Sequence, residues 1–266
     1  MAILTETDRN VAEKIKAEDL ADFLLDIGVL LLSSGAHCGR VWRNCNRIAE
    51  HWGMETNINP TITGMLISVW DANNKENAIT RYKSAPENKV HFEILTLVSH
   101  LSWKITRNQL CFDEAKQEVA KIQQTKNYNY WIVGLMVGIS CACLCRISGG
   151  DWMDFLITFS ATFCGSIGRT WIIKLKFNNF LSFIIASFIT TTIASLDTIF
   201  HIGVAPEMTL ATAVLYLIPG VPLINSVIDL LEGYLNSALA RSLFAASIVS
   251  CIATGMILSI MLLGIN

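Results

Sequence analysis

The sequence predicts a membrane protein in two parts. Residues 1–128 read as an N-terminal cytoplasmic α+β domain and residues 129–266 as five transmembrane α-helices. Three observations support this. Residues 1–128 hold 15 of the 20 Lys and Arg and 16 of the 22 Asp and Glu, so the second half is almost uncharged. That half contains apolar runs near the roughly 17–25 residues needed to cross a hydrocarbon core of about 30 Å. The first half instead alternates apolar residues at helical spacing with short strand-like runs. The chain is 52% hydrophobic, its mean hydropathy is +0.46 and its net charge is −2. These values exclude a disordered chain, a collagen-like fibre and a highly charged nucleic-acid binder. The first 20 residues are polar and acidic, so no signal peptide is expected. Cys38, Cys45 and Cys111 lie in the polar half. Cys141, Cys143, Cys145, Cys164 and Cys251 lie in apolar segments. All eight read as thiols, which suits a reducing cytosol around residues 1–128.

In the first half, Leu20, Phe23, Leu24, Ile27, Leu30 and Leu31 recur at helical spacing, and Ser33-Ser34-Gly35 ends that helix. A second helix is expected over 37–52, with Val41, Cys45, Ile48 and Trp52 on its apolar face. His37, Arg40, Arg43, Asn44 and Arg47 gather on the other side. That face reads first as solvated. It also suits an anionic substrate, a carboxylate of another domain or anionic lipid. Strands are expected over 57–70 and 78–82, joined through Asp71-Ala72-Asn73-Asn74. Helices over 92–106 and 113–124 complete the domain. It has no Gly-rich phosphate loop, no G-x-S-x-G elbow and no H-E-x-x-H. No catalytic residue, metal centre or cofactor is expected, and the chain does not read as an enzyme.

Spans are expected over 130–147, 155–173, 180–196, 208–231 and 238–265. They are helical because backbone groups in lipid must bond within the segment. Arg169, Lys174, Lys176 and Arg241 lie by the second and fourth loops, and Lys121 and Lys126 precede the first span. Asp151, Asp154, Asp197, His201 and Glu207 lie by the first and third loops, where Arg146 is the only nearby cation. This distribution places the N-terminus in the cytoplasm and the C-terminus outside. Five spans make an odd number, so a second similar unit would be inverted, as in many secondary transporters. The Asp197 and His201 region reads as a solvated loop. Thr190, Thr191, Thr192 and Ser195 suit either a polar path or bonds to their own helix. Gly134-x-x-x-Gly138 suits close helix packing. Cys143 points away from Cys141 and Cys145 on a helix, which argues against a metal motif.

The strongest local signal is Leu217-Ile218-Pro219-Gly220-Val221-Pro222-Leu223-Ile224-Asn225, followed by Asp229. Pro219 and Pro222 remove two helix donors, and Gly220 loosens the backbone between them. Such a break belongs against protein or a wet cavity. Asn225 and Asp229 share a helix face one turn beyond it. The alternative is a kinked packing helix with Asp229 at the cytoplasmic edge.

Two segments carry a family resemblance. Ser34-Gly35-Ala36-His37-x-x-Arg40-Val41-x-Arg43-Asn44-x-x-Arg47 resembles the opening helix-turn-helix of the threonine/serine exporter family. Tyr216–Leu231, with Gly233 and Arg241 following, resembles that family's signature span. The resemblance implies a secondary transporter in a bacterial inner membrane that exports small amino acids or small carboxylates such as succinate. A proton or other ion gradient would drive it, without a bound cofactor. Five spans instead of ten resemble the large subunit of the two-component branch. The second half would come from a small multi-span membrane protein or a second copy of the chain. Carried over by position, Pro219, Gly220, Pro222, Asn225 and Asp229 line the path, with Arg241 as counter-charge to Asp229. The competing readings are a non-transporting membrane scaffold or regulatory subunit, and a membrane-anchored hydrolase.

Overall fold

A computed structural model describes residues 15–72, 74–86, 90–126 and 128–265; Asn73 of the expected turn lies outside them. The chain forms two compact units. One comprises Met1–Lys126 with Val221–Ser242, the other Asn127–Gly220 with Leu243–Asn266.

The first unit contains α1 (Ala17–Ser33), α2 (Cys38–His51), β1 (Met54–Thr61), β2 (Gly64–Asp71), β3 (Asn74–Ser84), α3 (Phe92–Thr106) and α4 (Phe112–Gln123). The strands form an antiparallel meander in the order β1-β2-β3. Leu20, Leu24, Ile27 and Leu31 on α1 are fully buried with Met65, Ile67 and Val69, which alternate along β2. Those two periods, one helical and one of two residues, build a single core between sheet and helices. Phe23, Trp52 and Phe112 close one end with edge-to-face ring contacts at 5.2–5.9 Å. Pro60 sits on the edge strand β1, where its missing N–H leaves no ladder bond unmade.

The expected single strand over 57–70 is in fact a hairpin. Thr61 pairs with Gly64, so Ile62 and Thr63 form the turn. Apolar alternation runs through the turn unbroken, and its central residues include no Gly, Asn or Asp, so the usual hairpin signal is missing. β3 is also longer than the expected 78–82. Its cations are held from α1, with Arg81 bonded to Asp22 at 3.1 Å and Lys83 to Asp26. This pairing keeps a polar edge strand in place without an apolar pattern.

The second unit contains α5 (Tyr130–Ile147), α6 (Trp152–Lys174), α7 (Asn179–Phe200) and α8 (Pro206–Val214), which runs into a 3₁₀ turn at Leu215–Leu217. The part of α10 (Leu235–Leu263) from Leu243 onward completes it. Asn129, Asp151 and Asn178 cap the first three helices through their side-chain oxygens. Gly134 and Gly138 lie against Ser166, Ile167 and Phe159 of α6, so that any side chain there would crowd the facing helix. Of the Cys141, Cys143 and Cys145 set, the first and last are buried and Cys143 is exposed.

Among the described residues, α5, α6, α7 and α10 are long and apolar enough to cross a membrane. A fifth span is counted only if Pro206–Leu217 and α9 (Gly220–Leu231) together make one broken crossing. The chain breaks at Ile218, which adopts an extended conformation (φ −61°, ψ 127°). Pro219 causes this, because its ring disfavours a helical residue before it and it has no N–H to continue the ladder. The boundary between the two units falls one residue later, at Gly220–Val221.

Asp197 is not in a solvated loop. α7 continues to Phe200, and Asp197 is 0% exposed within it. Its Oδ1 accepts the Gly203 N–H at 2.7 Å, which is possible because His201 turns the chain back in a left-handed conformation (φ 49°). His201 itself is exposed.

Candidate functional site

The site forms within the first unit, where the N-terminus of α2 meets the corner between α9 and α10. Gly35, at φ 94°, ends α1 and turns the chain. His37 then serves as the N-cap of α2, leaving the first N–H groups of that helix free of intrahelical partners. Asp229 fills this position. Its Oδ1 accepts the Cys38 N–H at 2.7 Å, and its Oδ2 lies 2.9 Å from Arg241 Nε. A carboxylate at a helix N-terminus is also favoured by the helix dipole. Asp229 is 0% and Arg241 4% exposed, so the pair is shielded from solvent.

Further bonds tie the same corner to the α1–α2 turn. Arg241 Nη2 donates to Ala36 O at 2.9 Å, and Asn225 Nδ2 donates to Gly35 O at 2.8 Å. Ser237 Oγ donates to Pro60 O at 3.1 Å. α9 stops at Gly233 (φ 89°), where the Tyr234 N–H returns to Asp229 O at 2.8 Å. The turn presents Glu232 to α2. Arg43 Nη1 donates to Glu232 Oε1 at 2.8 Å, and His37 Nδ1 lies 3.1 Å from Oε2. Arg43 Nη2 is 3.4 Å from His37 Nε2. Protonated at Nδ1, a neutral imidazole donates to Glu232 and accepts from Arg43; unprotonated there, Nδ1 instead accepts the Arg40 N–H at 3.3 Å as the helix cap, so the two tautomers trade the Glu232 contact for the cap. Gly39 makes room for this arrangement, since any side chain there would overlap the Glu232 carboxylate.

Burial lowers the His37 pKa, outweighing the opposing pull of Glu232. Burial alone would raise the pKa of Glu232, but the Arg43 hydrogen bond and charge, together with the His37 hydrogen bond, hold it below the ordinary value. Desolvation pushes the Cys38 thiol up to about 11, so it is a poor nucleophile at neutral pH. His37, Asp229 and Glu232 also offer ligand atoms all within 4.8 Å of one another. Arg241 and Arg43 already balance the two carboxylates, so the donor set is charge-neutral without an ion.

The structure thus joins two groups of residues that lie far apart in sequence: His37 and Arg43 from α2, and Asn225, Asp229 and Arg241 from the α9–α10 corner. It does not keep the α2 polar face together. Arg40 bonds Leu95 O and Ser99, and Arg47 bonds Ser102 and stacks 4.0 Å over the Trp103 ring. Asn44 is buried, accepting from Ser102 and donating to Arg40 O. These three hold α3 against α2. Pro219, Gly220 and Pro222 form the interruption ahead of α9. Sequence reasoning missed Glu232 and the part played by the Cys38 backbone N–H. Glu232 falls between the expected spans 208–231 and 238–265, and its spacing of three from Asp229 is the available signal. Nothing in the pattern around Cys38 points to its backbone N–H.

The chain matches the family model of the ThrE threonine/serine exporters over residues 22–263. A protein of Escherichia coli strain K12 named "Probable succinate transporter subunit YjjP" is 26% identical over 243 residues, covering 91% of this chain and 94% of the relative. A Klebsiella aerogenes protein of the same name is 25% identical over 256 residues, covering 96% and 98%. A Mycobacterium tuberculosis protein named "Probable threonine/serine exporter" is 21% identical over 257 residues, which make up 93% of this chain but 47% of that protein. No solved structure matches the chain.

Proposed function

Because the chain belongs to the ThrE threonine/serine exporter family, we propose that it is one subunit of a secondary-active exporter of small amino acids or small carboxylates. The observation that carries this reading is the buried Asp229–Arg241 pair, which links α9, the helix that follows the proline break, to α10. Buried ion pairs in apolar helices are costly to desolvate and are retained mainly where charge must be handled. Here the pair also binds the α9–α10 corner to the start of α2. Any shift of α2 is therefore transmitted to α9, and the Ile218–Pro219 break supplies the flexible point. Residues 1–128 act as a cytoplasmic coupling domain, and the path runs past Pro219, Gly220, Pro222, Asn225 and Asp229.

A second half comes from a partner, a small multi-span membrane protein or a second copy in inverted orientation. The names of the E. coli and Klebsiella relatives, each a "subunit", support an assembly of this kind. The matched region is less than half of the M. tuberculosis relative, which suits a fused form with both halves in one chain. A proton or other ion gradient drives export from the bacterial cytoplasm across the inner membrane, and no chemical conversion takes place.

The test is efflux of labelled serine, threonine and succinate from preloaded cells or proteoliposomes, with this chain alone and with its partner. Efflux is expected to need both. Asp229→Asn or Arg241→Gln alone leaves one buried charge unmatched and is expected to cost at least about ten-fold in rate. The double variant is expected to recover part of that loss. A stable complex that moves none of these solutes would overturn the exporter reading in favour of a scaffold.

A further inference from the structure

We propose that a cavity around Arg169 in the second unit is a binding site for small carboxylates. It encloses about 580 Å³ between α5, α6 and the 3₁₀ turn, and its polar lining includes Tyr130, Ser140, Ser166, Arg169, Thr170 and Tyr216. This inference rests on the exporter reading and gives it a substrate contact.

Arg169 lies within α6, five residues before its end at Lys174. By its position alone it reads as a cytoplasmic flanking charge. In the structure its Nε is buried and has no hydrogen-bond partner. No Asp or Glu among the described residues forms an ion pair with it. Its guanidinium stacks 4.1 Å over the Phe183 ring. Stacking one face on an aromatic ring fixes the plane and leaves the N–H edge available, the geometry that takes a carboxylate through two parallel bonds. An unpaired guanidinium inside an apolar helix is costly, and such groups mark binding sites and pathways.

The remaining polar lining can meet a second polar group on the ligand. Ser140, Ser166 and Thr170 each donate to a carbonyl of their own helix, at 2.8, 2.9 and 3.0 Å. Their oxygens remain free to accept from a donor group on a ligand. Tyr216 Oη is 3.0 Å from Thr190 Oγ1. Tyr216 belongs to the 3₁₀ turn that ends just before Ile218, so a ligand held there touches the segment leading directly into the proline break. Lys174 Nζ lies 3.6 Å over the Tyr130 ring, adding a second positive charge at the edge of the cavity.

The experiment is equilibrium binding of labelled succinate and serine to the purified chain, with and without its partner. It uses phosphatidylcholine nanodiscs prepared with and without phosphatidylglycerol. 1,4-Butanediol and ethanolamine serve as competitors lacking a carboxylate. Carboxylate binding is expected, untouched by either competitor, with affinity at least ten-fold weaker in Arg169→Gln and intermediate in Arg169→Lys. Melting curves of the three proteins separate lost binding from lost folding. Equal affinity in folded wild type and Arg169→Gln, with efflux intact, would overturn the site and leave the exporter reading standing. Carboxylate binding abolished by phosphatidylglycerol would assign the guanidinium to a lipid headgroup and overturn the proposal. Binding lost only when the partner is present would do the same in favour of a partner carboxylate. Absence of both binding and efflux would sink the exporter reading itself.

Discussion

At the residue scale, the site depends on ionisation states set by burial. His37 is neutral beside an ionised Glu232, and both pKa values lie below their ordinary ones of 6.5 and 4.5. The unfolded chain binds protons at both positions more readily than the folded chain does. Stability is therefore lost as pH falls, first below about 6.5 through His37 and then below about 4.5 through Glu232. Above 6.5 neither group contributes a slope. His51 also has its pKa lowered by burial, so the His37 share must be read as a difference. Melting temperature against pH for wild type and His37→Gln checks this. The two curves are expected to converge as pH drops from 7 to 5, and parallel curves would exclude a role for His37 ionisation.

At the element scale, α6, α7 and α8 are joined by a buried carboxylate that sequence position does not reveal. Asp154 Oδ2 accepts N–H bonds from Asp151 at 2.7 Å and from Ala205 at 3.1 Å. Its Oδ1 accepts the Thr209 hydroxyl at 3.1 Å. Replacing it with Asn turns an acceptor into a donor facing at least one donor, a cost of about 1–3 kcal/mol. Asp197 is equally buried; its Oδ1 accepts the Gly203 N–H and its carboxyl faces Asp154, so an Asn there keeps an acceptor for Gly203 and can donate toward Asp154. Asp154→Asn is therefore expected to lower the melting temperature of the solubilised chain by several degrees, and Asp197→Asn by little. The reverse order would show that the roles of the two carboxyls are exchanged. Gly203 belongs to the same contact, since a side chain there would overlap Asp154 and crowd Asp197.

At the scale of the whole molecule, four membrane-length helices and one broken pair among the described residues leave the count of crossings to the α8–α9 segment. If it crosses, the chain has five spans, and its two ends lie on opposite sides of the membrane. A reporter fused at the C-terminus is then expected on the external face, with one at the N-terminus in the cytoplasm. Both reporters in the cytoplasm would mean that α8 and α9 re-enter on one side, which would remove the inverted-repeat assembly.

Much of this protein was legible from sequence because it depends on local rules. The charge split between residues 1–128 and the rest, the apolar runs of α5, α7 and α10, and the helical spacing of Leu20 to Leu31 each reflect transfer free energy and backbone period acting over neighbouring residues. The break at Ile218–Pro219 is likewise a property of the proline itself. Only the tertiary structure decided which polar groups share a site. It brought Asp229 and Glu232 to the start of α2, turned Arg40, Asn44 and Arg47 toward α3, buried Asp197, and left Arg169 facing a cavity without a carboxylate. The physical reason is that burial and pairing of charges are set by groups far apart in the chain. Asp229 and Cys38 are 191 residues apart, and no local pattern records what an electrostatic partner at that separation will be.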